Sequence, residues 1–111
     1  MSDVRFTEVG PRDGFQNWPE PVATETKVGL VKAALAAGVQ RVEATSMVSP
    51  KWVPQMADGE QVLAALSADE LERVRVLVPN LKGLERAVAA GARNVIVNVG
   101  ATDGFNRKNL N

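Results

Sequence analysis

Residues 35–44 read LAAGVQRVEA and residues 88–97 read VAAGARNVIV. In both, Ala-Ala-Gly closes an amphipathic segment and a strand-like run follows at once. Glycine there supplies the left-handed conformation that terminates a helix, and the valines beyond it are strand formers. The two copies begin 53 residues apart, about two βα units. The chain therefore repeats a helix-to-strand junction, the mark of a parallel sheet built by crossovers.

The flanking sequence fits that frame. VRFTEV (4–9) alternates imperfectly, with Val4, Phe6 and Val9 as the apolar positions of a short first strand. A loop with Pro11, Pro19 and Pro21 follows. TETKVGLVKAALAA (24–37) sets Val28, Val31 and Leu35 on one helical face, with Glu25 at the positive end of the dipole and Gly38 as the stop. The second strand is predicted over 39–45, VQRVEAT. Beyond SMVSPKWVPQM, the Asp58–Gln61 spacing predicts a capping box for a helix through Leu66, and Ser67–Glu70 repeats the signal for one more turn. VRVLVP (74–79) is a third strand, Asn80 caps a helix to about Ala90, Gly91 ends it, and NVIVNVG (94–100) is a fourth.

The order βαβαβαβ predicts an α/β fold with four parallel strands and right-handed crossovers. The repeat favours a (β/α)8 barrel, and since such a barrel takes ~250 residues, four strands over residues 1–111 amount to its N-terminal half. A complete four-stranded α/β sandwich is the alternative reading. In a half-barrel the inner face, with Val42, Val76, Val78 and Ile96, would lie open together with two strand edges, so a homo-oligomer is expected.

Composition narrows the partners. Thirteen basic residues balance 13 acidic ones among 111, leaving no excess charge to draw nucleic acid or an anionic membrane. No apolar run approaches the ~20 residues of a membrane span, and nothing before residue 4 resembles a targeting peptide. Cysteine is absent, which fits a reducing compartment, and a cytoplasmic location is expected. Histidine is absent too.

In parallel α/β folds the loops after the strand ends converge on one face, where ligands bind. Arg12 and Asp13 fall there, as do Glu43, the loop SMVSPKW and the segment GATDGFNRKN. Asp13 offers carboxylate oxygens suited to a divalent cation, and Arg12 a planar cationic fork for an oxyanion. Glu43, a carboxylate in an apolar strand, calls for a partner such as that guanidinium. A solvated turn would also accommodate Arg12 and Asp13, and Lys51 and Trp52 read equally as a packed loop. The run FNRKN reads as surface.

TEVGPRDGFQN (7–17), VEATSMVSPKWVPQMAD (42–58), VPNLKG (78–83) and GATDGFNRKNLN (100–111) together resemble the N-terminal part of the 3-hydroxy-3-methylglutaryl-CoA lyase family of metal-dependent barrels. The RDG turn is shared with related aldol-type synthases and carboxyltransferases, whereas SPKWVPQM is specific to the lyase branch. The resemblance implies that Asp13 ligates Mg²⁺ or Mn²⁺, that Arg12 stabilises the enolate-like oxygen of an acyl-CoA substrate, and that Glu43 is the acidic partner of Arg12. It places Gln16 and Ser46 along the substrate site. It implies a carbon–carbon lyase yielding acetyl-CoA and acetoacetate. The family completes its metal site with two histidines and an asparagine and uses a cysteine on a mobile loop; with neither His nor Cys in these 111 residues, the chain is expected to be inactive alone. Met47 and the pair Thr102-Asp103 depart from the family pattern and leave room for a different 3-hydroxyacyl-CoA substrate.

Overall fold

Apolar residues at helical spacing and β-branched runs at strand spacing meet in one layer of helices laid on one face of a sheet. The computed structural model describes residues 3–109. Its strands are β1 (Thr7–Glu8), β2 (Arg41–Ser46), β3 (Val74–Leu77) and β4 (Val95–Ile96), and its helices are α1 (Thr24–Ala36), α2 (Gly59–Ala64), α3 (Ala68–Arg73), α4 (Leu81–Ala89) and α5 (Asp103–Asn109). The strands pair in parallel in the order β1-β2-β3-β4. Sequential parallel order is that of a barrel, since an open doubly wound sheet reverses direction partway. Among the described residues no helix is long and apolar enough to cross a membrane.

Both Ala-Ala-Gly junctions behave as predicted: Gly38 and Gly91 have φ of +95° and +96°, the left-handed region that a side chain disfavours. Ser67 and Glu70 form the reciprocal capping box, and Asn80 accepts from the Gly83 amide to open α4. The box expected at Asp58 does not form. Its carboxylate takes the Lys27 ammonium at 2.7 Å and the Thr24 hydroxyl at 2.6 Å instead, leaving the helix amides uncapped by it. An ion pair to a buried ammonium outweighs one neutral cap.

Two strands are shorter than the sequence pattern suggests. β1 and β4 each keep two ladder residues because each has a neighbour on one side only. The apolar residues beyond them stay exposed: Val4, Phe6, Val97 and Val99 are 62–81% accessible. Exposed apolar side chains thus gather at the two open edges of the sheet, as in a barrel cut between strands.

The core lies between sheet and helices. Val31 and Leu35 of α1, Val62 and Leu63 of α2 and Ala87 of α4 pack with Val42, Ala44, Val74, Val76 and Val78. This corrects the assignment of Val42, Val76 and Val78 to the inner face: they are 0–3% exposed and point at the helices. The inner face, followed through the register pairs Glu43↔Arg75, Ser46↔Leu77 and Leu77↔Ile96, is polar at its start and apolar at its end. Ile96 alone of the four expected residues lies there. All helices of the core pack on one face, and they leave the opposite face, with Glu43, Ser46, Leu77 and Ile96, without a helix layer.

A register slip in β2 decides what faces the barrel axis. Glu43 pairs with Arg75, then Thr45 pairs with Val76, so β2 carries one extra residue at Ala44. Strict alternation from Glu43 would have turned Thr45 inward. The bulge turns Thr45 toward α2 and puts Ser46 on the same face as Glu43.

Candidate active site at the strand ends

The turn after β1 is built around one carbonyl. Val9 O accepts from the amides of Arg12, Asp13 and Gly14 at 3.1, 2.7 and 3.4 Å, a widened turn over Gly10–Gly14 opened by Pro11. Its effect is to send neighbouring side chains in different directions. Arg12 reaches inward and donates from Nε and Nη2 to Oε1 of Glu43, at 2.9 and 2.7 Å. Both partners are largely shielded, with 16% and 13% of their side chains exposed. Asp13 turns outward, 56% exposed, its Oδ1 3.4 Å from Arg12 Nη1. Arg12 is therefore fixed by β2, while Asp13 keeps free carboxylate lone pairs for a ligand.

Asn17, which the sequence reading passed over, steadies Asp13: its Nδ2 donates to the Asp13 carbonyl at 2.9 Å and to Oδ1 at 3.3 Å. An amide side chain four residues after an Asp in a Gly-rich turn was the available signal. A cleft of about 330 Å³ opens beside these groups, lined among others by Arg12, Asp13, Gln16, Asn17, Leu77 and Asn98. Phe105 of α5 also lines it, so the segment after β4 reaches the site as a helix rather than as plain surface. Residues 110–111 of that motif lie outside the described residues.

Two side-chain polar atoms are buried and unpartnered among the described residues: Oε1 of Gln16, which lines the cleft, and Oγ of Ser46, at the end of β2. Ser46 is fully buried. Orphan acceptors of this kind are uncommon and costly unless a ligand or water completes them. The structure thus brings together Arg12, Asp13, Gln16 and Glu43, whereas Ser46 shares the face of Glu43 and pairs with Leu77 but does not line the cleft. It does not bring in Lys51 and Trp52: Trp52 is 79% exposed with the Lys51 ammonium 5.8 Å from its ring centre, so these two residues are not packed. A larger groove of about 490 Å³ lies on the helical side near Glu60, Lys82 and Arg86. There Arg86 is already matched by Glu60, at 2.7 and 3.0 Å.

As a cation site the chain is one-sided. Asp13 has the exposure and chemistry of a hard-cation ligand, but no three His, Cys, Asp or Glu side chains meet among the described residues. Further ligands would have to come from beyond these residues.

Fold and site together define a class: the N-terminal part of a parallel (β/α)8 barrel whose strand-end loops offer a clamped guanidinium beside an open carboxylate. The particular family follows from comparison with known proteins. The HMGL-like family model matches residues 3–111, and the chain belongs to that family. It is 47% identical over 108 residues to the mitochondrial hydroxymethylglutaryl-CoA lyase of Arabidopsis thaliana, covering 97% of this chain and 23% of the relative. The solved hydroxymethylglutaryl-CoA lyase of Pseudomonas aeruginosa superposes with a TM-score of 0.86 at 44% identity, over 97% of this chain and 36% of that one. The HMG-CoA lyase of Acinetobacter baumannii, solved with coenzyme A and 3-methylmalate, gives 0.82 at 37% identity, over 94% and 34%. The chain spans about a third of the length of most of the curated relatives it matches.

Proposed function

We propose that this chain is the N-terminal part of a carbon–carbon lyase that cleaves 3-hydroxy-3-methylglutaryl-CoA to acetyl-CoA and acetoacetate, active only with the rest of its barrel. The observation that carries the reading is the Arg12–Glu43 clamp beside Asp13, on a family member whose relatives are named for that lyase. In the reaction the tertiary hydroxyl loses its proton and its carbon becomes the ketone of acetoacetate. The broken C–C bond leaves its electron pair on the thioester fragment, whose carbonyl oxygen gains charge until the carbon is protonated to acetyl-CoA.

Arg12 answers that charge. Held through Nε and Nη2, it is fixed in place, and its permanent charge would stabilise the thioester oxygen as that becomes an oxyanion. Glu43 positions it through Nε and Nη2 and leaves Nη1 of the guanidinium turned away from that carboxylate. Asp13 would hold one position of a divalent cation, Mg²⁺ or Mn²⁺, which when bound supplies Lewis acidity toward substrate oxygens. Gln16 and Ser46 would complete their hydrogen bonding on the acyl group. The register slip in β2 supports this reading of Ser46, because it turns the hydroxyl toward the axis.

The test is reconstitution. This chain is joined to the complementary part of the Pseudomonas aeruginosa relative, and products from 3-hydroxy-3-methylglutaryl-CoA are measured with Mg²⁺ or Mn²⁺. The account expects acetyl-CoA and acetoacetate in equal amounts from the joined barrel and none from the 111 residues alone. A folded barrel that instead condenses or carboxylates acyl groups would assign the chain to the synthase or carboxyltransferase relatives.

A further inference from the structure

Lys27 sits on the buried face of α1 with 2% of its surface exposed, among residues where an aliphatic side chain would ordinarily pack. Its ammonium donates to the Gln55 carbonyl at 2.5 Å and to Asp58 Oδ1 at 2.7 Å, while Thr24 Oγ1 donates to Asp58 Oδ2 at 2.6 Å. Gln55 extends the connection outward: its Nε2 donates to the Trp18 carbonyl at 2.9 Å. One continuous series of bonds thus runs from α1 to the loop after β2 and on to the loop after β1. Those are the loops that leave Ser46 and Gln16 respectively.

A buried ion pair is poor value as a source of stability, because well-packed apolar side chains of similar volume often do as well or better. What an apolar residue could not do here is hold two peptide segments by directed bonds. We propose that Lys27 is a positioning residue whose buried ammonium straps the loop after β2 to α1 and, through Gln55 and the Trp18 carbonyl, keeps the Gln16-bearing loop in fixed relation to the Ser46-bearing one. The strap stands on geometry alone and is independent of the reaction proposed above.

The chain carries its own reporters, since its two tryptophans, Trp18 and Trp52, lie one in each strapped loop. With Trp52→Phe as background, time-resolved anisotropy reads the local motion of Trp18 separately from overall tumbling. Lys27→Met keeps the volume and removes the charge. The expected result is a larger fast-depolarisation amplitude for Trp18, with far-UV circular dichroism retained and a lower urea midpoint, since Asp58 keeps a carboxylate stripped of its partner. Unchanged Trp18 motion in the folded variant, whatever the midpoint does, would reduce Lys27 to a packing residue and overturn the proposal. Should Lys27→Met fail to fold, Gln55→Ala cuts only the outer link, at the surface. Increased Trp18 motion there supports the strap and unchanged motion overturns it. Because no substrate or cation enters the measurement, its failure would leave the lyase reading standing, and the reverse.

Discussion

Replacing Ser46 by alanine should make the protein more stable and its site worse. The Ser46 hydroxyl is fully buried and has no partner among the described residues. Burying a hydroxyl without a hydrogen bond costs about 1–3 kcal/mol on the evidence of protein substitutions. Removing the oxygen relieves that cost and leaves a void smaller than a methylene, for which a loss of roughly 0.5–1 kcal/mol is the scale. The net expectation is a gain of about 1 kcal/mol. With a urea slope of about 2 kcal/mol per molar, the midpoint of Ser46→Ala should rise by roughly 0.5 M at unchanged slope. In the reconstituted barrel the same variant should bind substrate more weakly, having lost a partner that the ligand completes. A midpoint that falls by a comparable amount would mean the hydroxyl is already satisfied in the free protein, and its assignment to the substrate site would lose its physical basis.

Three further outcomes follow from the same structure. Gly29→Ala, where an added Cβ meets nothing within 4 Å in α1, should stabilise by about 1 kcal/mol from helix propensity, whereas Gly83→Ala sets its Cβ 2.9 Å from both the Met47 carbonyl oxygen and Pro79 Cδ and should destabilise; equal urea midpoints for the two would refute the close approach of α4 to the loop after β2. Glu60 is held below its ordinary value of 4.5 chiefly by hydrogen bonding to Arg86, and Glu70 by hydrogen bonding to Lys32 and then the Ser67 amide. Depressed carboxyl groups contribute stability above the unfolded value and lose it as pH falls through the folded one, so the unfolding midpoint should drop below about pH 4.5 and drop less steeply in Glu60→Gln. The isolated chain should self-associate through its open strand edges, where Phe6, Val97 and Val99 are exposed; sedimentation as a monomer at tens of micromolar would argue that these edges are protected.

Much of this was legible in the sequence because it is local. Helix ends followed from Gly38, Gly91, Asn80 and the Ser67–Glu70 box, each fixed by backbone chemistry within four residues. The parallel order followed from the repeated junction. What escaped was set by partners far along the chain. Asp58 reads as a cap until Lys27, 31 residues earlier, claims its carboxylate. Val42 turns to the helices by simple alternation with Glu43, whereas Ser46 shares the face of Glu43 only because pairing with β3 places a bulge at Ala44, and no feature of VEATS announces it. β1 and β4 shrink because strands need neighbours that these residues do not include. Of the site, Arg12, Asp13 and Glu43 were readable from charge in a turn and in an apolar strand, while Gln16 and Ser46 rested on family resemblance. Asn17 and Lys27 were in plain view, but their roles depend on what they touch.

The measurement that bears most directly on the account is the turnover of Arg12→Lys in the reconstituted barrel, set beside its cation affinity. Lysine keeps the charge but cannot offer both Nε and Nη2 to Glu43, so the cation near the thioester oxygen would no longer be held in place. Loss of one oxyanion-stabilising group is worth about 2.7–4 kcal/mol, so kcat should fall by about 10²–10³. The affinity for Mg²⁺ or Mn²⁺, which depends on Asp13, should stay within a few-fold of the parent. Turnover equal to the parent, or a loss of activity wholly explained by weaker cation binding, would contradict the central claim that the Glu43-clamped guanidinium stabilises the transition state.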